Sequence, residues 1–194
     1  GLLLKAESLE EVIGVMAHEL GHIVSGHVAR KNESLEVARN ASSLSTALAA
    51  AAAIGGSEEL AASLLIGGND RVARNYYYGS RINEAIADEW ALKMLDELQI
   101  SAAGMAKMMK RLSNENALPE SYQSEYYRTH PDAKKRLAVY KDHVTKSNFT
   151  NNRMNVADYA SFKRIVGKIS SYEKRPEEII QNLKNDALSI DEMH

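Results

Sequence analysis

The chain has 194 residues, a net charge of −2 and no cysteine. That length can bury one core with an appendage. No basic stripe offers itself to phosphates, which gives nucleic-acid binding no support, and the missing cysteines exclude disulfides, thiolate ligation of a metal and thiol redox chemistry.

In chain order, Ser8-Leu9-Glu10-Glu11 has the spacing of a capping box and predicts a helix start. Val12, Ile13, Val15, Met16, Leu20, Ile23 and Val24 then make the helix apolar on most sides, so it is expected to be mostly buried. Inside it lies His18-Glu19-Leu20-Gly21-His22. Residues four apart share one helix face, so both imidazoles can bind one metal ion from the same side. Glu19, about 100° around the helix, can reach a metal-bound water without ligating the metal. Buried imidazoles and a buried carboxylate need partners, and a metal supplies them. Zinc would lower the pKa of its water, and the carboxylate would take the proton and later pass it to a leaving amine. His27 is a tempting third ligand, but an unbroken helix sets it roughly 140° from His22 and points it away. It is read as a surface or outer-layer histidine.

Residues 44–68 are rich in alanine, in two apolar halves divided by Gly55-Gly56-Ser57-Glu58-Glu59. Each half is far short of the roughly 20 residues that span a bilayer, so no membrane crossing is expected. Two readings stay open: a helical hairpin packed on the catalytic helices, or a mobile flap whose flanking glycines act as hinges. Tyr76-Tyr77-Tyr78 reads as a short strand or a helix end. A second helical pattern carries Glu84 and Asp88 on one face. One of these carboxylates can bind the metal while the other accepts a hydrogen bond from a ligating imidazole. Arg81, one turn before Glu84, is placed to pair with a carboxylate of this site. Met105, Met108 and Met109 read as core, and Pro131 opens a helix to about residue 144. Residues 147–155 read as a polar loop, followed by helices over about 156–171 and 176–188.

Three ordered blocks carry a resemblance: His18-Glu19-Leu20-Gly21-His22, then Ser80-Arg81 with Glu84 and Ala87-Asp88, then Thr129-His130-Pro131 with Arg136. Together the chain resembles the gluzincin endopeptidases of the HtpX and BepA type, and more closely the soluble periplasmic BepA-like branch. The resemblance implies His18, His22 and Glu84 as ligands of one zinc ion per chain, Glu19 as general base and acid, and Asp88 as partner of a ligating histidine. It places His130 near the active site, either stabilising an oxyanion or occupying the metal's open position at rest. Arg136 is expected in a structural ion pair.

The implied fold class is mainly α: a zincin-like catalytic domain over 1–146 with little β-sheet and its N-terminal part missing, then a helical extension over 147–194, the end at which BepA-like relatives continue into helical repeats. The implied function is zinc-dependent hydrolysis of peptide bonds in misfolded or unassembled proteins of a bacterial envelope. The implied location is the periplasm, with any signal peptide upstream, and the implied partners are protein substrates and peripheral membrane or outer-membrane-assembly proteins. The rival reading is a proteolytically silent chaperone or binding module that keeps zinc for structure.

Overall fold

Ser8 starts the helix that carries the histidine pair. Its hydroxyl accepts a hydrogen bond from the Glu11 amide at 3.2 Å, satisfying an amide that the first turn leaves open, and the Glu11 carboxylate reaches back to the amide of Glu7, the residue before the cap, at 3.0 Å. The computed structural model describes residues 2–115, 117–173 and 177. Its helices are α1 (Leu2–Lys5), α2 (Leu9–Val24), α3 (His27–Ile54), α4 (Glu58–Glu97), α5 (Ala103–Glu115), α6 (Glu125–Thr129), α7 (Ala133–Lys146) and α8 (Val156–Glu173), with a 3-10 turn at Glu120–Tyr122. Among the described residues there is no strand, and the expected mainly helical class holds.

The core sits where α2, α4, α5 and α7 meet. Val15, Leu92, Leu95, Met105, Met108, Met109, Leu112 and Tyr140 form one buried cluster. Flexible thioethers fill the irregular space between crossing helices. Arg111 anchors the start of α2 with two hydrogen bonds of 2.7 Å to the buried Glu11 carboxylate. The expectation that α2 is buried on most sides is corrected. Val12, Val15, Ala17, His18 and Gly21 are buried, but Met16, Leu20, Ile23 and Val24 are exposed, because the described elements cover only one side of it.

Glycine sets the distance between α2 and α4. A methyl group on Gly21 would lie 2.8 Å from the Ala87 carbonyl oxygen and 3.0 Å from the Ala87 Cα. Alanine is the better helix former by up to about 1 kcal/mol, yet here it meets backbone that has no rotamer to escape into. We expect Gly21→Ala to lose about 1–3 kcal/mol of stability and to weaken metal binding by forcing the neighbouring His22 away from α4. Thermal melting and a metal titration check both.

The segment expected as a short hairpin or flap belongs to a much longer arm. α3 and α4 have 28 and 40 residues and run antiparallel, joined at Gly55-Gly56, where Gly56 turns at φ +82°. α3 packs mainly on α4, while α4 runs on to pack against α2 and carries Glu84 and Asp88 there. Ser42 Oγ donates to Asn69 Oδ1 at 2.7 Å and Ser45 Oγ to the Leu64 carbonyl at 2.5 Å. Gly67 and Gly68 lie inside unbroken α4, and a methyl on Gly68 would overlap Ser45 Oγ. Gly68 therefore serves close helix contact, not a hinge. Tyr76-Tyr77-Tyr78 is mid-helix, neither strand nor helix end. No helix of the described residues is long and apolar enough to cross a membrane.

Pro131 precedes Asp132, the residue before α7, rather than standing in the first turn. The polar loop after α7 is tied down by Ser101 Oγ to the Thr150 carbonyl at 2.7 Å and by Asn152 Nδ2 to the Gln99 carbonyl at 2.8 Å. Beyond it α8 folds back on the start of α2, where the Tyr159 hydroxyl donates to Glu10. The helix expected over 176–188 falls outside the described residues, apart from residue 177.

Candidate metal centre

One turn of α2 places His18 and His22 on the face turned to α4. One turn of α4 places Glu84 and Asp88 opposite them. His18 has no exposed surface. Its Nδ1 lies 2.9 Å from Asp88 Oδ1, so this N–H donates to the carboxylate and leaves Nε2 bare. That Nε2 is 3.1 Å from His22 Nε2 and 3.3 Å from Glu84 Oε2, and His22 Nε2 is 3.3 Å from Glu84 Oε1.

Three electron-pair donors thus converge on one point, which costs energy unless a cation fills it. A four-coordinate ion with bonds of about 2.0–2.1 Å holds its donors about 3.3 Å apart, so the three fit one ion. His130 adds a further donor atom within 4.8 Å of the others.

The surroundings fix these groups. Arg136 of α7 places Nε 2.7 Å from Asp88 Oδ2, Nη2 2.8 Å from Asp88 Oδ1 and Nη1 2.7 Å from Glu84 Oε2. Tyr140, one turn on, donates its hydroxyl to Asp88 Oδ1 at 2.7 Å. Burial acts to raise the Glu84 pKa, but its contacts with His18 and His22 and the charge of Arg136 hold it far below the usual carboxylate range. Asp88 is likewise held low, burial being outweighed by His18 and Arg136. Burial opposes protonation of His18, yet its bonds to Asp88 and Glu84 raise its pKa above that of an ordinary imidazole.

The sequence expectation for Arg81 is corrected: it is exposed, and no ion pair among the described residues ties it to Glu84 or Asp88. Both carboxylates turn into the helix interface, and Arg136 from α7 occupies their outer oxygens.

His27 is not turned away. Gly26, with φ +68°, ends α2 and starts a new helix, the ordinary way a helix stops at a left-handed glycine. The break brings His27 Nδ1 to 2.9 Å from His22 Nδ1. Burial, His22 and Arg30 keep the His27 pKa low, so a neutral His27 can accept the His22 Nδ1–H and leave His22 Nε2 free. His27 is a partner of His22 on the side away from the other donors.

α6 delivers the last pieces. Ser124 caps it by accepting from the Tyr127 amide at 3.2 Å, and His130 ends it. The His130 ring stacks on Tyr126 with centroids 4.2 Å apart, and its Nε2 is 3.3 Å from Glu19 Oε1. That contact is the main reason the Glu19 carboxyl is held below its usual range, so it is ionised at neutral pH. Tyr126 and Tyr140 were not singled out from sequence. The signal for Tyr140 was its place one turn after Arg136.

An HExxH helix, a carboxylate from a second helix and an ionised glutamate beside an open position define the metallopeptidase class of site. The family model described as Peptidase family M48 matches residues 1–144, and the chain belongs to that family. It is similar to the metalloprotease LoiP of Escherichia coli, 30% identical over 135 residues that cover 70% of this chain and 50% of that protein. It is also similar to a Vibrio cholerae protein provisionally named beta-barrel assembly-enhancing protease, 34% identical over 117 residues, 59% of this chain and 24% of that protein. The chain thus spans about half the length of the first and a quarter of the second. No solved structure matches the chain.

Proposed function

We propose that this chain is the catalytic part of a zinc metalloendopeptidase. The observation that carries the reading is the triangle of His18 Nε2, His22 Nε2 and Glu84, with sides of 3.1–3.3 Å, beside an ionised Glu19. Two imidazoles and one carboxylate with a fourth position open are the donor set of a catalytic zinc site. When bound, zinc supplies Lewis acidity toward a water and the scissile carbonyl. Glu19 accepts the proton of the attacking water and returns it to the leaving amine. Asp88 holds the His18 ring by its Nδ1–H and Arg136 neutralises the carboxylates behind it. His130 reaches over Glu19 from the open side, where its Nε2 can donate to the oxygen that gains charge.

Catalysis is assigned to residues 1–146, with 147–173 bracing α2. Envelope proteins that are misfolded or unassembled are the proposed substrates, and the periplasm the proposed location. Support comes from membership of the family and from the name of the Vibrio cholerae relative, which refers to β-barrel assembly. Removing the metal with a chelator is expected to abolish cleavage of casein, and one equivalent of zinc to restore it. Cleavage that survives complete metal removal would overturn the reading.

A further inference from the structure

The arm closes and opens along its length. At Ser42–Asn69 and Ser45–Leu64 the two helices touch through hydrogen bonds, and Gly68 admits Ser45. Toward the metal centre they part, because α3 must start at His27 beside His22 while α4 must pass Glu84 on the other side. The gap is a wedge-shaped cavity of about 770 Å³, with Val37, Ala41, Val72 and Tyr76 on its walls and His22, Glu84, Glu19 and His130 at its foot. Arg30, Lys31 and Glu33 at the rim carry charges of both signs and select neither.

We propose that this wedge holds the extended stretch of an unfolded polypeptide next to the bond being cut, with its apolar side chains between Val37, Val72 and Tyr76. The inference rests on the metallopeptidase reading and adds where its substrate lies. Three observations support that occupant. The cavity is continuous with the groups at the metal centre, so a chain held there presents its next residue to Glu19. The wall from Val72 to Glu84 is about 18 Å long at a helical rise of 1.5 Å per residue, room for about five extended residues. The wedge narrows to direct helix contact at Ser42 and Asn69, so a helix of about 10 Å diameter does not enter where a single extended chain does.

The cysteine-free sequence gives a clean test, since one introduced thiol is the only one present. Val72→Cys and Ala41→Cys are small changes inside the wedge, and Ile54→Cys at the arm tip, 89% exposed, is the control. Each is combined with Glu19→Gln so that bound substrate stays intact, and its alkylation by iodoacetamide is timed with and without saturating carboxymethylated casein, with binding followed by fluorescence anisotropy. Both wedge thiols are expected to slow at least fivefold and the tip thiol to keep its rate. Unchanged wedge rates with casein bound, or no casein binding at all, would overturn the proposal. Protected wedge thiols in variants whose cysteine-free parent cleaves nothing would keep the wedge as a polypeptide-binding site and sink the peptidase reading. Unprotected thiols in a chain whose parent cleaves casein would do the reverse.

Discussion

Glu19→Gln is expected to keep its metal and its melting temperature while losing about 10²–10⁴-fold in the rate of casein cleavage, the range general acid–base catalysis supplies. Glu19 is half-exposed and stands outside the triangle of donors, its carboxylate 3.3 Å from His130 Nε2. An amide of the same shape therefore leaves His18, His22 and Glu84 in place. It cannot accept the proton of a water, and the two carboxylates at the metal centre are already engaged: Glu84 with two histidines, and Asp88 with His18, Arg136 and Tyr140. Metal content by elemental analysis beside initial rates of cleavage checks it. A variant that cleaves as fast as the parent would remove Glu19 from the reaction.

Arg136→Leu is expected to be the most damaging single change to the fold, at about 3–5 kcal/mol, the cost of breaking a buried ion pair by deleting one partner. Arg136 is only 4% exposed, and its fork touches both buried carboxylates at 2.7–2.8 Å. Leucine would leave Asp88 and Glu84 as uncompensated charges behind the metal site. Both are held below the ordinary carboxylate range, Glu84 far below it, so their contribution to stability is present above their unfolded pKa and lost as pH falls through the folded one. Without Arg136 that contribution shrinks at neutral pH, and the melting temperature of the metal-free chain should drop most there. Arg136→Lys keeps the charge but loses the fork, so it should recover only part. Denaturant unfolding of the three metal-free proteins at neutral pH checks the order, and equal stabilities would contradict it.

Much of the site was legible because helical spacing alone puts His18 with His22 and Glu84 with Asp88. The Ser8 cap and the methionines of α5 were legible for the same local reason. What was not legible depended on breaks and on tertiary approach. Treating residues 9–27 as one helix turned His27 away, whereas Gly26 ends that helix and returns His27 to His22. The glycine was the available signal. Arg81 has the right spacing for a pair within one helix, yet Glu84 faces another helix, and an arginine 52 residues on reaches it instead. Residues 44–68 stand out by their alanine content and suggest a short hairpin or flap rather than the arm they belong to. Its true length shows only in the lack of proline across 27–97, with Gly55-Gly56 the one break.

The central claim is that His18, His22 and Glu84 hold one metal ion. Elemental analysis of the purified parent and of Glu84→Ala, after equilibration with limiting zinc, tests it most directly. The expected result is one zinc per parent chain, and in the variant an affinity reduced beyond the roughly 10–100-fold that loss of an outer hydrogen-bond partner costs. A parent without zinc, or a variant that binds it as tightly as the parent, would contradict the account.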